Sequence, residues 1–248
     1  IKKAKQITSS SLELFPRNLL LNQYKFELNS ENNLKSFSCQ NQSHVAAEIL
    51  YIAANALSSQ TLYTFSNFYL NLAKYLNTNF YSFNILLAEN FYKIENFNQA
   101  KKIYSDLGKQ GNAFSWYAAK QVSKILVKEN KYKDALKLLK NNYEKLKEKN
   151  IYETFDYADF LKDNDQFENS IIHYTEIINK IKKTHPLYSK VMDSRGVSYE
   201  RIGEWDKAEK DLLVSLDISP NQAYVINYLA YSWIEKGLNV EKSLSILK

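Results

Sequence analysis

The chain has 248 residues, 45% of them apolar and 24% charged, with a formal net charge of +6; that is ordinary material for a folded core and too apolar for a disordered chain. Five glycines and three prolines, with no Asn-Gly or Asp-Gly pair, leave little turn chemistry for hairpins and exclude a strand-rich fold. No apolar run approaches the roughly 18 residues of a membrane helix, and the single cysteine, Cys39, excludes an internal disulfide and a Cys-based zinc cluster.

In chain order, Ala4 precedes Pro16 by twelve residues, so residues 1–15 read as the second helix of a pair whose first member is missing. Arg17 to Leu28 (RNLLLNQYKFEL) reads as a first helix. Its expected partner does not follow, because residues 29–43 (NSENNLKSFSCQNQS) are polar and poor in aliphatics, and read as a loop or a degenerate repeat. From His44 onward a pattern recurs. Phe65, Ala100, Ala135, Ser170, Ala208 and Ser243 fall 35, 35, 35, 38 and 35 residues apart. Phe97, Tyr132, Phe167, Trp205 and Val240 sit three residues before the last five of them. Small residues recur twelve or thirteen before: Ala53, Ala88, Ser123, Ala158, Gly196 and Ala230. Apolar residues between these marks keep helical spacing, as in Ala135, Leu138, Leu139, Tyr143 and Leu146. The pattern predicts about thirteen antiparallel helices and no sheet, with breaks near Gln60, Glu95–Asn96, Asn130, Asn164, Glu204 and Leu238–Asn239.

The stretch from Met192 to Pro220 states the pattern most fully, with Gly196, Tyr199, Gly203, Trp205, Ala208, Leu212 and Pro220 in order. It resembles the tetratricopeptide repeat, a helix–turn–helix unit of roughly 34 residues. The resemblance implies an all-α, right-handed α-solenoid of antiparallel helix pairs. It divides the chain into a partial N-terminal repeat with a loop, residues 1–43, and a tandem array over 44–248. The array has about six repeats: 44–79, 80–114, 115–149, 150–187, 188–221 and an incomplete 222–248. The likeness extends to long bacterial multi-repeat proteins of this class, many of them exported, and so implies a bacterial protein of the cell envelope, periplasmic rather than cytoplasmic. The chain opens at Ile1 and stops in mid-pattern, which reads as a piece of something longer.

Chemistry is hard to find in this pattern. His44, His173 and His185 are isolated from one another and from Cys39. Neither a glycine-rich phosphate loop nor a nucleophile elbow is present. The carboxylate pairs Glu200/Glu204 and Asp159/Asp163 are what solvated helix faces ordinarily carry. The expectation is a protein that is not an enzyme and holds no cofactor or metal.

Nucleic acid is disfavoured on two counts. Of the 33 basic residues 30 are Lys and three Arg, beside 26 Asn, a bias of an AT-rich genome rather than of an interface that leans on Arg. Pentatricopeptide repeats, which read single-stranded RNA one base per repeat, have a similar period. The fifth positions of the first helices here are Leu50, Ile85, Lys120, Phe155, Asp193 and Asn227, a series with neither code nor continuous charge.

What remains is a scaffold that takes a peptide or helix of a partner protein, or a positioning arm of a larger enzyme complex. In the family resembled, the inner wall comes from positions 2, 5, 9 and 12 of each first helix. Carried onto this chain, that strip begins at Ala47, Leu50, Ala54 and Leu57, an apolar start read as packing. The residues expected to meet a partner are Tyr92, Tyr117, Lys120, Lys124, Tyr152, Phe155, Lys162, Tyr224 and Tyr231. Aromatics supply contact area at small entropic loss, and two lysines one turn apart favour an acidic segment.

Overall fold

A computed structural model describes residues 2–29, 41–78, 80–238 and 240–246. The described residues form fourteen α-helices and no strand, against about thirteen helices expected. They fall into two compact units, Ile1–Leu146 and Lys147–Lys248, a division placed inside the predicted tandem array. The first unit holds α1 (Lys2–Leu14), α2 (Leu19–Asn29), α3 (Gln42–Ser59), α4 (Tyr63–Leu76), α5 (Ser82–Lys93), α6 (Phe97–Gly108), α7 (Asn112–Lys128) and α8 (Tyr132–Lys145). The second holds α9 (Ile151–Lys162), α10 (Phe167–Lys180), α11 (Tyr188–Arg201), α12 (Trp205–Ile218), α13 (Ala223–Glu235) and α14 (Val240–Ile246). From α3 to α8, and again from α9 to α14, each helix packs on the next. Residues 30–40, which include Cys39 and most of the predicted loop, lie outside the described residues, as does Asn239 of the last predicted break.

The turn inside every pair has one construction. Thr61, Glu95, Asn130, Asp165, Gly203 and Gly237 all have positive φ, between 58° and 83°. The residue after each sends its N–H back to the carbonyl five residues earlier: Leu62 to Leu57, Asn96 to Phe91, Lys131 to Leu126, Gln166 to Leu161, Glu204 to Tyr199 and Leu238 to Trp233, at 2.8–2.9 Å. This bond closes the carbonyl end of the helix, and a left-handed residue is what brings donor and acceptor together. Only two of the six positions carry the glycine that adopts this conformation without strain. Thr61 is the worst placed, because a β-branched side chain crowds the left-handed region. Replacing Thr61 with Gly is expected to raise stability by about 1 kcal/mol. A urea titration of the two proteins checks this; an unchanged or lowered midpoint would mean that Thr61 contributes something beyond its backbone.

The small residues mark the helix crossings. Ala54, Ala88, Ser123, Ala158 and Ala100, Ala135, Ser170, Ala208 are fully covered. A Cβ on Gly196 would lie 3.0 Å from Leu212 Cγ and 3.2 Å from the Ala208 carbonyl oxygen, so the crossing there admits only hydrogen. The first pair corrects the predicted register by one residue. Phe65, read as its crossing residue, is 62% exposed, whereas Ser66 is 0% exposed. Ser66 Oγ donates to the Ala54 carbonyl at 2.8 Å, just as Ser123 Oγ donates to Ala135 across another crossing. Crossing partners are therefore Ala54 and Ser66, not Ala53 and Phe65. Ala47, Leu50 and Ala54 of the apolar strip pack in the core and Leu57 is half-buried; the wall positions of α3 become Glu48, Tyr51, Asn55 and Ser58.

Polar links also recur between pairs. Asn90, two residues after Ala88, donates to Ser66 Oγ (2.8 Å) and Asn67 Oδ1 (2.9 Å) and accepts from Ser58 Oγ (2.6 Å). Ser198, two after Gly196, meets Ser170 Oγ at 2.9 Å. Each joins the crossing residue of one second helix to the first helix that follows, satisfying buried polar atoms that would otherwise cost stability.

Helix α2 breaks the nearest-neighbour rule. It packs on α7, with Leu19 and Leu20 against the cluster of Ala88, Ala100, Tyr104, Leu107 and Phe114. Gln23, 6% exposed, accepts from the Ala113 N–H at 3.2 Å and so caps α7 from 90 residues away. A Cβ on Gly111 would collide with the Gln23 side chain.

Candidate partner-binding wall

The first helices of the pairs present their wall positions at intervals of one turn, and each unit makes its own segment. In the first unit the segment runs through α3, α5 and α7. Tyr117, half-buried on α7, donates from Oη to Glu89 Oε1 on α5 at 2.7 Å. Its ring meets Tyr104 at 6.0 Å and 70°, edge to face. Burial pushes the Tyr117 phenol up, and the Glu89 carboxylate beside it adds to the effect, so the hydroxyl stays a proton donor. Tyr92 is half-buried on Phe97, with ring centres 5.8 Å apart. Lys120 is half-buried and Lys124, one turn on, is exposed. The structure thus brings Tyr92, Tyr117, Lys120 and Lys124 onto two adjacent first helices, with Glu89 among them. The two tyrosines pack against the core at the same time as they line the wall.

The second unit arranges its residues differently. Phe155, expected at the wall, is 6% exposed and belongs to the core of Ala158, Tyr174, Ile177 and Val191. Its ring lies 5.9 Å from Tyr174 on α10, and α10 together with Val191 of α11 supplies the apolar surface that takes it in. Tyr152 is half-buried, 6.2 Å from the His185 ring. Lys162 reaches Asp159 at 2.8 Å and Asp163 at 3.4 Å, and Asp159 also accepts from Tyr174 Oη at 3.1 Å. Tyr224 and Tyr231 are 57% and 63% exposed, the most open aromatics of the predicted set.

Two carboxylates that the sequence places only among the fifth positions and the solvated helix faces, Asp193 and Glu200, hold this segment. Asp193, only 2% exposed, accepts from Lys190 Nζ at 3.2 and 3.3 Å and from Ser194 Oγ at 3.1 Å. Burial pushes the Asp193 carboxyl up, against the opposing pull of Lys190. Lys190 Nζ also stands 5.8 Å above the Tyr224 ring, a cation–π distance. Tyr228 Oη donates to Glu200 Oε2 at 2.7 Å. Lys190 and Asp193 fall one turn apart on α11, as do Tyr224 and Tyr228 on α13, so helical spacing was a usable signal. Their pairing across helices was not.

Among the described residues no three His, Cys, Asp or Glu side chains gather as metal ligands, and no helix is long and apolar enough to cross a membrane.

The chain matches no family model and no curated protein. Solved structures are more informative. The APC/C hetero-tetramer Cut9–Hcn1 superposes with a TM-score of 0.55 at 16% identity, over 98% of this chain and 49% of that one. The C-terminal part of a TPR repeat-containing protein from Cytophaga hutchinsonii gives 0.53 at 16% identity, over 73% and 69% of the two chains. MamA gives 0.50 at 17% identity, over 65% and 90%. The all-α fold of this chain is the tetratricopeptide-repeat solenoid.

Proposed function

We propose that the chain is a protein-interaction scaffold that takes a peptide or helix of a partner along the wall of its first helices. The observation that carries this reading is the cluster on α5 and α7, where tyrosines fixed by core packing and by Glu89 stand beside two lysines one turn apart. Aromatic rings already held in place lose little freedom when a partner arrives, and they are the side chains that anchor interfaces. Lys120 and Lys124 then favour a segment with carboxylates next to its apolar anchors. The similar fold of Cut9 occurs within a hetero-tetramer, which agrees with a role in holding proteins together.

The test is selection from a displayed peptide library on the purified chain, followed by fluorescence titration of the selected peptides. Acidic peptides with aromatic or aliphatic anchors are expected. The double substitution Lys120→Glu with Lys124→Glu is expected to weaken them by roughly ten- to a hundredfold, since each lysine turns from a contact of up to about 1 kcal/mol into a repulsion of similar size. It should also flatten the salt dependence. Unchanged affinity in that variant, with Tyr117→Ala equally silent, would move the interface off this wall.

A further inference from the structure

The wall of the second unit is most open on α13. Tyr224, Asn227, Tyr231 and Ile234 recur every three or four residues along one face of that helix. All four are exposed, the two rings by 57% and 63% and Ile234 by 47%. Two links set this face beside α11. Lys190 Nζ stands 5.8 Å above the Tyr224 ring. Tyr228, its ring centre 6.0 Å from that of Tyr224, donates from Oη to Glu200 Oε2. Glu235 lies one turn beyond Tyr231, within reach of its hydroxyl. The open rings are thus edged by two carboxylates, Glu200 on the α11 side and Glu235 at the far end.

The cations of this wall are already engaged. Asp159 and Asp163 hold Lys162, and Asp193 holds Lys190. Arg201 and Lys236, which follow the two carboxylates in sequence, lie over the Phe167 ring of α10 and the Trp205 ring of α12. Among the described residues, Glu200 and Glu235 have no ion-pair partner. The sign extends beyond the wall. Residues 147–248 carry 17 acidic residues against 14 basic, whereas residues 1–146 carry 10 against 19.

We propose that the α11–α13 wall docks a lysine- or arginine-bearing segment of a partner protein, opposite in charge to the segment proposed for α5 and α7. This rests on the same reading of the first helices as a partner-binding wall. Charge and ring chemistry select the occupant. Lys190 over Tyr224 shows the chain placing a cation on one of these rings. An incoming ammonium or guanidinium over Tyr231 has Glu235 at hand, and one near Tyr228 has Glu200, so ring and opposite charge act together. Ile234 and the half-buried Val197 receive the methylenes of the same side chains. From Tyr224 to Ile234 the stripe runs roughly 15 Å along α13. That is longer than a single cationic group, so the occupant is a segment of chain rather than a small ammonium compound. An acidic segment meets like charge here, which sorts partners between the two walls.

The test selects from a random displayed peptide library on the whole chain, then titrates labelled winners by fluorescence against double variants. Peptides with Lys or Arg beside aliphatic residues are expected. Each should bind about tenfold more weakly to Glu200→Gln/Glu235→Gln and to Tyr224→Ala/Tyr231→Ala. None should be weakened by Lys120→Glu/Lys124→Glu. Glutamine still accepts from Tyr228, and Tyr224 and Tyr231 already face solvent, so helical circular dichroism is expected to be unchanged. Enrichment of acidic peptides without cationic ones overturns this proposal and leaves the reading of the first-unit wall standing. Enrichment of neither class overturns both. Cationic peptides that bind both α11–α13 variants as tightly as the parent chain also overturn it.

Discussion

Asp211→Ala is expected to cost the second unit about 3–5 kcal/mol, because it strands a buried guanidinium. Arg195 Nε donates to Asp211 Oδ2 at 2.6 Å and Nη2 to Oδ1 at 3.0 Å, while Nη1 reaches Thr175 Oγ1 at 3.0 Å. The side chains are 15% and 5% exposed, so water does little to replace a lost partner. Burial works against the Arg195 charge, but the hydrogen bonds and charge of Asp211 outweigh it and hold its pKa above the ordinary value. The pair ties α10, α11 and α12 together. Removing both charges should be far gentler: Arg195→Met with Asp211→Leu should recover most of the loss, since apolar replacements no longer need desolvating. Denaturant titrations of the three proteins give the comparison. A single-variant cost below about 1 kcal/mol would show that the pair behaves as a surface contact.

Trp233→Ala is expected to lose a similar amount, about 3–5 kcal/mol, by another route. Trp233 is fully buried among Leu212, Val225 and Leu229, with Trp205, Leu216 and Tyr228 packed around them. Its indole N–H donates to Glu209 Oε1 at 2.6 Å. Truncation empties a ring-sized volume in a core that has no second layer to collapse into. Trp233→Phe separates the two contributions, keeping most of the volume and losing the donor at about 1 kcal/mol. In a stack stabilised by neighbours, the damage should fade with distance. Amide exchange is therefore expected to quicken in α12–α14 and to change little in α9; a uniform acceleration across the unit would contradict this.

The recurring features of the fold were legible because they depend on local geometry. Small residues twelve apart and aromatics opening each second helix answer to one crossing and one turn, and both repeat in the sequence. The register of the first pair was misread by counting 35 residues back from Ala100 to Phe65. Tyr63 was the better guide: it opens α4 as Phe97, Tyr132, Phe167 and Trp205 open α6, α8, α10 and α12, and it points to Ser66. The wall was legible as a set of positions but not as a surface. Nothing in the spacing of Phe155 distinguishes a residue facing a partner from one turned into Tyr174. The burial of Asp193 depends on how α9 and α11 lie side by side. The docking of α2 on α7 was out of reach for the same reason, since no local pattern encodes a contact across 90 residues.

That long contact sets an order of events in synthesis. Neighbouring pairs close loops of about one repeat, whereas α2 and α7 close one of 90 residues, an extra entropic cost of about 1 kcal/mol on a logarithmic scale. At roughly 5–20 residues per second, the ribosome makes α2 some 5–20 seconds before it makes the N–H of Ala113 that Gln23 caps. Until α5, α6 and α7 are made, Leu19 and Leu20 lack the cluster that covers them. Helix α2 cannot reach its final place until α7 exists to receive it.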